Sequence, residues 1–277
     1  MHGDTLTLLL CLMIGFTTWQ GLNRPGVMDR YLFSTEQFRL RREWIRLISP
    51  AFLHGSWGHF FGNAITLYFF GSSLENALGP GVLLGTFFVS VAGGHALCLL
   101  LHKQGDYRAI GASGGALGIL FSTILLSPGM TLLLFPLPIP IPAWLYAMGF
   151  LFYTLFSMRG GSRISHEAHL GGMLTGVLVT LLQHPRLFVV QPILLLFILG
   201  ISGTGIWYFH ANPGRVPNFF ALLRKEKTQA RTSRRTSKKH KTVDELLDKV
   251  SEKGIQSLTD HERDLLQQAS KRRRDRR

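Results

Sequence analysis

Six apolar stretches, each long enough to cross a lipid bilayer, constrain the fold of this chain more than any other feature of its sequence. A helix needs about 20 apolar residues to span the hydrocarbon core of a membrane. A seventh stretch, 187–209, contains Pro192 and Ser202-Gly203-Thr204-Gly205, which makes it a weaker candidate span. The sequence predicts spans at 5–22, 57–78, 81–102, 111–134, 141–158 and 167–184.

Charge divides the chain into two parts. Residues 1–210 carry 11 Lys and Arg against 7 Asp and Glu, whereas 211–277 carry 19 against 9 and so contribute +10 of the net charge of +14. The two cysteines, Cys11 and Cys98, lie in apolar stretches, which favours packing roles over a disulfide. We predict a membrane-embedded part followed by a basic soluble tail.

The hydrophilic connection Asn23–Ser56 is unusually long. It combines six arginines with three phenylalanines and Trp44, a mixture that favours a folded, amphipathic segment at the membrane interface. The connection Leu134–Ala143 contains four prolines and cannot continue a helix, so it separates the fourth span from the fifth. Because Met1–Asp4 has no basic residue, we interpret 5–22 as a retained span and not as a signal peptide.

The tail contains two helix signatures. Capping boxes at Thr242-Val243-Asp244-Glu245 and Thr259-Asp260-His261-Glu262 predict a small helical hairpin with a leucine-rich seam. The basic cluster Lys271–Arg277 is typical of a solvated tail or one that contacts anionic lipid headgroups. Since no recognition motif accompanies it, no nucleic-acid partner is expected.

The motif Gly111-Ala112-Ser113-Gly114 opens the fourth span. Ser113 would lie at a helix N-terminus, where unpaired N–H groups and positive potential suit a developing oxyanion. Gly111 and Gly114 would allow close approach of the backbone. The alternative is helix packing alone, because Gly114 and Gly118 form a GxxxG pattern of the kind found between membrane helices.

The motif Ala168-His169-Leu170-Gly171-Gly172 opens the sixth span. A serine is a weak nucleophile without a base, and His169 is the candidate base. Gly172 and Gly176 leave one face of this helix nearly bare, so that face could press against the glycines of the fourth span and bring His169 to Ser113. The alternative is a histidine that only caps the helix or hydrogen-bonds in the interior.

A third set of polar residues, His54, His59 and Asn63, lies at the start of the second span. His59 and Asn63 are four residues apart and share one helix face, and both can donate hydrogen bonds to an oxyanion. Histidines also suggest a metal, but His166-Glu167-Ala168-His169 does not have the spacing of a zinc-protease helix, so no metal is predicted.

Acidic residues are scarce between residues 57 and 184, where only Glu75, Asp106 and Glu167 occur. Without a pair of intramembrane aspartates, an aspartyl intramembrane protease is excluded. Glu75 is expected to be structural. No acid is evident that would orient His169, so the sequence favours a Ser–His dyad over a triad.

Taken in order on successive spans, His54-x4-His59-x3-Asn63, GASG and AHLGG resemble the rhomboid family of intramembrane serine proteases over about residues 5–184. The resemblance implies Ser113 as nucleophile and His169 as general base, with no cofactor. It further implies an oxyanion hole formed by His59, Asn63 and the Ser113 backbone.

The resemblance also implies supporting roles for Arg46 in the membrane-interface loop, for Glu75, and for Gly172 and Gly176 in close packing. The C-terminal module is similar to one found on some bacterial rhomboids.

Two departures from the family pattern stand out. The family usually has Trp beside the loop arginine, whereas Trp44-Ile45-Arg46 separates them by one residue. Many members have an aromatic residue stacking on the base where this chain has Leu117. We therefore expect His169 to be held less rigidly, or by another aromatic such as Tyr153.

The predicted fold class is an all-α polytopic membrane protein: a six-helix rhomboid-like bundle over 1–186, a candidate seventh transmembrane helix at 187–210, and a basic linker with a C-terminal soluble helical hairpin over 211–277. The predicted function is cleavage of transmembrane protein substrates in the lipid bilayer, at the bacterial inner membrane. The alternatives are a proteolytically inactive rhomboid-like binding or quality-control module, and a transporter lined by His54, His59, His95 and His169. Inverted repeats and paired ionisable residues, which a transporter would predict, are not found.

The number of spans decides the topology. The connections 22–56, 102–109 and 158–168 are positively charged and lie on one side. With seven spans the tail joins that side, and the positive-inside rule makes it cytoplasmic. With six spans a cytoplasmic tail places the charged connections outside, as in the family's common bacterial arrangement. The side to which the site opens stays undecided at this point.

Overall fold

The fold was analysed in a computed structural model, which describes residues 4–103, 105–134, 139–158, 165–211 and 245–274. The chain divides into two compact units, Met1–Val216 and Pro217–Arg277. The first unit is mostly helical. Its helices are α1 Thr5–Asn23, α2 Val27–Tyr31, α3 Thr35–Arg41, α4 Trp57–Thr66, α5 Ser72–Leu78, α6 Pro80–Leu101, α7 Ser113–Leu126, α8 Ala143–Ser157, α9 His166–Gln183, α10 Leu187–Val190 and α11 Pro192–Ala211.

Two short antiparallel strand pairs interrupt the helices, so the all-α prediction is incomplete. Strand β1, Phe33–Ser34, pairs with β2, Arg108–Ala109. Strand β3, Thr131–Leu134, pairs with β4, Ile139–Pro142. The first pair joins the long hydrophilic connection to the loop that precedes α7.

The predicted span 111–134 is too long at its C-terminal end. Helix α7 ends at Leu126, and Ser127 has φ −138° and ψ 65°. Pro128 follows, and the residue before a proline is pushed out of the helical region by the proline ring. The residues that follow form β3, which pairs with β4. Strand β4 can contain two prolines because proline is tolerated in an edge strand.

The predicted span 57–78 is helical throughout but not uniform. Ser56 caps α4 by accepting a hydrogen bond from the His59 N–H at 3.2 Å. A single π turn, Leu67–Gly71, joins α4 to α5. Gly79 then breaks the chain direction at φ +88°, and Pro80 begins α6.

The segment between α1 and α4 is folded, as its aromatic content predicts. Phe33 is fully buried and stacks on the His95 ring, with ring centroids 4.3 Å apart. Two 3₁₀ turns, Trp44–Leu47 and Ser49–Phe52, complete the segment. Its outer surface carries exposed apolar side chains at Leu40, Trp44 and Ile45.

Helices α6, α7 and α9 form the centre of the first unit. They pack against one another and bury most of α7, including Ile119, Phe121 and Ile124. Helix α11 begins at Pro192, so the apolar stretch 187–209 is two helices and not one, because proline is favoured at the first position of a helix. It packs on α8 and α9.

Among the described residues, α1 and α6 are long and apolar enough to cross a membrane by length and composition. Three more helices contain shorter apolar stretches: Ser113–Leu126, Ala143–Ser157 and, within α11, Pro192–Tyr208.

The second unit contains a helix α12 at 245–253, a 3₁₀ turn Ile255–Ser257, and a helix α13, Asp260–Arg274. Thr259 and Glu262 form a reciprocal capping box at the start of α13, with Thr259 N donating to Glu262 at 2.9 Å. Bonding to the Lys249 ammonium, followed by hydrogen bonds from Thr259, lowers the pKa of Glu262 to about 2. The first capping-box residues, 242–244, lie outside the described residues.

Candidate active site

Ser113 is the first residue of α7. Gly111, two residues earlier, has φ +123°, a backbone conformation that residues other than glycine rarely adopt. The Gly111 N–H donates to the Pro50 carbonyl at 2.9 Å, which fixes the turn. The first N–H groups of α7 have no carbonyl partner within the helix, so they are available to an oxyanion beside Ser113.

His169 lies in the first turn of α9 and faces Ser113. Its Nε2 is 2.7 Å from the Ser113 Oγ, a hydrogen-bond distance. Both side chains are partly exposed, so a reactant and water can reach them. Among the described residues the other ring nitrogen of His169, Nδ1, has no hydrogen-bond partner. The geometry is that of a two-residue unit in which the serine proton can pass to the imidazole.

Bare helix faces bring the two residues together. A methyl group added at Gly172 would lie 2.8 Å from the Cα of Gly114, and one added at Gly176 would lie 2.6 Å from the Cα of Gly118. These distances are shorter than van der Waals contact, so α7 and α9 touch backbone to backbone. The Ser122 hydroxyl adds a bridge by donating to the Gly176 carbonyl at 3.0 Å.

His54 supports the turn before Ser113. The Ala112 N–H donates to His54 Nε2 at 3.2 Å, which requires Nε2 to be unprotonated. The proton therefore sits on Nδ1, which donates to Thr18 Oγ1 at 3.1 Å. The ring is fully buried and neutral, and it ties α1 to the start of α7.

His59 reaches the same turn from α4. Its ring is edge-on to His54, with centroids 4.8 Å apart, and it lies against the missing side chain of Gly111. His59 is exposed. Asn63 is buried one helical turn further on, and its side-chain amide donates to the His59 carbonyl at 3.0 Å. His59 therefore contacts Gly111, which is two residues before Ser113 in the sequence.

The surroundings of His169 include an aromatic residue that the sequence reasoning missed. The Phe150 ring lies 6.3 Å from the His169 ring, and His166 is edge-on to His169 at 5.9 Å. Tyr153, the aromatic named from sequence, is edge-on to His166 at 5.4 Å. Tyr146, Phe150 and Tyr153 follow helical spacing along α8, and that spacing was the signal available in the sequence.

Arg46 is buried and links separate parts of the interface segment by hydrogen bonds. Its Nη1 donates to the carbonyls of Leu32 at 2.7 Å and Asp29 at 3.1 Å, while Nε bonds Glu43. The 3₁₀ turn that begins at Trp44 points Arg46 inward and leaves Trp44 exposed.

Glu75 lies far from Ser113 in the chain and bonds the N-terminus of α1. Its carboxylate accepts from the Thr7 N–H at 2.8 Å, the Thr7 hydroxyl at 2.7 Å and the Leu6 N–H at 3.0 Å. Two otherwise unpaired helix N–H groups are satisfied in this way. The contacts are structural, and they explain an acid within an apolar helix.

A family model for the Rhomboid domain matches residues 41–186, more than half of the chain. The chain belongs to the rhomboid family. The matched residues include Ser113 and His169, and also His54, His59 and Asn63. Members of this family are integral membrane proteins, so this chain is one too. A second model, a family of unknown function (DUF6576), matches residues 229–272 of the tail.

Curated rhomboids are similar to this chain over more than half of its length. It is 33% identical to "RHOMBOID-like protein 12, mitochondrial" of Arabidopsis thaliana, over 57% of this chain and 51% of that protein. It is 32% identical to "Rhomboid protein 1, mitochondrial" of Saccharomyces cerevisiae, over 59% of this chain and 48% of that protein. The chain thus spans about half the length of the curated relatives it matches.

A second polar cluster adjoins the rhomboid site. Glu167 is buried and accepts from the Tyr107 hydroxyl at 2.7 Å, and its other oxygen lies 3.2 Å from His102 Nε2. Burial, followed by the nearby Cys98 and Glu167, raises the pKa of Tyr107, so the phenol stays protonated and donates. Glu167 is therefore occupied away from His169. Within the described residues, no three side chains of His, Cys, Asp or Glu converge in a way that could hold a metal ion.

Proposed function

We propose that this rhomboid is a serine endopeptidase that hydrolyses peptide bonds in or near the transmembrane segments of other membrane proteins. The observation that supports the proposal is the 2.7 Å hydrogen bond between Ser113 Oγ and His169 Nε2. A serine and a histidine in this arrangement form an activated nucleophile. Polar side chains within a membrane carry a free-energy cost, so their presence there favours a functional role.

In the first step, Ser113 Oγ attacks the carbonyl carbon of the scissile peptide while its proton passes to His169 Nε2. The carbonyl oxygen becomes an oxyanion, for which the Ser113 N–H, His59 and Asn63 are the proposed donors. His169 then gives the proton to the leaving amine as the C–N bond breaks, which leaves an acyl-enzyme on Ser113.

In the second step, water attacks the acyl carbon while His169 takes its proton. His169 then protonates Ser113 Oγ as the acyl–oxygen bond breaks, and the carboxylic acid product is released. The partial exposure of both residues supports access for this water. A substrate helix hides its carbonyls, so cleavable segments should unwind easily and contain helix-breaking or small residues.

We further propose the six-helix catalytic core over 1–186, with α11 as a seventh transmembrane helix and 211–277 as a basic module that contacts anionic headgroups. The 20-residue length of α11, about 30 Å of helix, supports the seventh span. The bacterial inner membrane is the proposed location. Its support is the resemblance of the tail to a module of some bacterial rhomboids.

The test is cleavage of a panel of single-span substrates by the full chain in reconstituted vesicles. Wild type is compared with Ser113→Ala and His169→Ala. Matched controls are Ser127→Ala, which removes an exposed serine just after α7, and His184→Ala, which removes the histidine just after α9. A fluorophosphonate probe reports separately whether Ser113 is activated.

We expect both site variants to lose cleavage and labelling while both controls behave as wild type. Loss of at least ten-thousandfold is typical when a member of such a unit is removed. If wild type neither cuts any substrate nor labels at Ser113, the protease proposal fails, and an inactive rhomboid-like binding module takes its place.

A further inference from the structure

The interface segment contains a cavity of about 440 Å³ that the proposed catalytic steps do not use. Three arginines, Arg41, Arg46 and Arg108, line it together with the single carboxylate of Asp29. Ser34, Gln37 and Leu32 form the rest of its wall. Three guanidinium groups and one carboxylate line the cavity itself. Glu43 and Asp106 pair with Arg46 and Arg108 through Nε, so the other N–H groups of the arginines are the ones that an anion could meet.

Hydrogen bonds and a strand pairing hold the walls of the cavity. Arg46, at its inner end, is held by the carbonyls of Asp29 and Leu32. Ser34 on β1 pairs in register with Arg108 on β2. The Arg108 Nε bonds Asp106 Oδ2 at 2.6 Å, so this side chain is oriented before any ligand arrives.

Donors remain for a ligand. Within the described residues, Arg108 uses only its Nε in a hydrogen bond, which leaves both of its Nη groups available. Arg46 uses Nε and Nη1, and its Nη2 has no partner among those residues. Arg41 has one distant contact, 3.9 Å from Glu43, and its side chain is 68% exposed. Guanidinium edges of this kind pair bidentately with phosphate oxygens.

Neighbouring apolar side chains indicate where the phosphate would come from. Leu40, Trp44 and Ile45 are each more than half exposed, and each lies within two residues of Arg41 or Arg46 in the sequence. Exposed aliphatic side chains and tryptophan beside arginines are typical of protein surfaces that enter the headgroup region of a bilayer. A lipid headgroup would be at the level of the cavity, and its acyl chains could contact these apolar side chains. A free phosphate would make no contact with them.

We propose that this cavity binds the phosphate of a phospholipid headgroup, with Arg41, Arg46 and Arg108 as its ligands. The bound lipid would join the interface segment to the loop that leads into Ser113, because Arg108 lies on β2. The proposal does not depend on proteolysis and is measured without a substrate.

The test uses the full chain purified in maltoside micelles and native mass spectrometry with added dioleoylphosphatidylglycerol. Wild type is compared with Arg41→Gln/Arg108→Gln. The matched control, Arg24→Gln/Arg30→Gln, removes the same charge from two exposed arginines of the same segment that do not line the cavity.

Parallel additions separate the sources of the ligand. Dioleoylglycerol has the same acyl chains without phosphate, and inorganic phosphate has the anion without acyl chains.

We expect the dissociation constant for phosphatidylglycerol to rise about thirtyfold in the cavity variant and to stay at the wild-type value in the control. Dioleoylglycerol and inorganic phosphate should bind weakly to all three proteins. Equal weakening in both double variants, or in neither, overturns the proposal. So does arginine-dependent binding of dioleoylglycerol, or of inorganic phosphate in place of the lipid.

A second variant keeps the test decisive if the double variant folds poorly. Arg41 is exposed and makes only the distant contact to Glu43, so Arg41→Gln should fold as wild type. The dissociation constant for phosphatidylglycerol should rise about fivefold in Arg41→Gln, and Arg41→Lys should restore most of the binding. Unchanged binding in Arg41→Gln would count against the assignment.

Discussion

The helix junction and the interface segment hold the same candidate site by opposite means. At the junction, α7 and α9 meet through Gly114, Gly118, Gly172 and Gly176, where side chains are absent. In the interface segment Asn23–Ser56, polar side chains bond backbone carbonyls and N–H groups. The junction aligns Ser113 with His169, whereas the segment fixes the turn that precedes Ser113.

Because the two regions are held by opposite means, substitutions in them should have different effects on the candidate site. Any added atom at the junction forces two backbones apart, because packed interiors have no spare volume. Removal of a polar side chain from the segment leaves unpaired buried groups but does not push elements apart. Substitutions in the first region should destroy the site geometry, and those in the second should loosen it.

Gly172→Ala should produce the largest effect. The added methyl would overlap the backbone of Gly114, so we expect a loss of about 1–3 kcal/mol in unfolding free energy and a near-complete loss of cleavage. Thermal unfolding in micelles and the vesicle assay measure the two. Gly149→Ala on α8 is the control, because nothing lies within 4 Å of its added methyl. Equal effects of the two substitutions would remove the junction from the explanation.

His54→Ala should come next. It leaves the Ala112 N–H without an acceptor in a buried place, which costs about 1–3 kcal/mol and frees the turn before Ser113. We expect fluorophosphonate labelling of Ser113 to slow while the helices stay folded. His54→Asn, which still offers an acceptor oxygen, should recover part of the rate. Wild-type labelling in His54→Ala would show that the turn holds without this bond.

Arg46→Gln should loosen the segment and leave the junction intact. The hydrogen bonds of a buried charged donor to the carbonyls of Asp29 and Leu32 contribute about 2 kcal/mol in total. Amide hydrogen exchange should accelerate in α2 and β1 but not in α7 or α9. Arg30→Gln is the control with the same loss of charge at an exposed position. Faster exchange throughout the unit would contradict the division between the two regions.

Acid should affect the segment in the smallest but most selective way. Asp106 is partly buried, which opposes ionisation, but hydrogen bonds from Ser34 and Arg108 prevail and lower its pKa from 3.8. A carboxylate with a lowered pKa stabilises the fold above its unfolded-state pKa, and that contribution disappears as pH falls through the folded value. Asp106→Asn should therefore be less stable than wild type at pH 7.

The difference in unfolding temperature between wild type and Asp106→Asn should shrink as the pH is lowered below 3.8. The glycines of the junction carry no titratable group, so the difference in unfolding temperature between Gly172→Ala and wild type should stay constant over the same range. A gap between Asp106→Asn and wild type that does not change with pH would exclude the carboxylate as its cause.

Sequence reasoning predicted the helical parts of the first unit well because apolar length is a local property. It extended the fourth span too far, since Pro128 ends α7 in a stretch that remains apolar. It also missed both strand pairs, because two-residue strands such as β1 have no periodicity to detect.

For the candidate site, motif spacing led to the expectation that Ser113 and His169 meet, and the structure has them in hydrogen-bond contact. Their catalytic roles stay a prediction. The contact of His54 with Thr18 could not be predicted, since it depends on how α1 packs against a loop 36 residues away. Long-range contacts of single polar side chains carry no local signal in one sequence.

The π turn Leu67–Gly71 implies a limit on chain length. An α-helix rotates about 100° per residue, so the extra residue of a π turn sets the angle between the faces on either side of it. His59 faces Gly111 on one side, and Glu75 bonds α1 on the other. Tyr68 and Phe69 are exposed and should accept many replacements. Deleting either residue would rotate Glu75 away from α1, so the number of residues in this turn matters more than their identity.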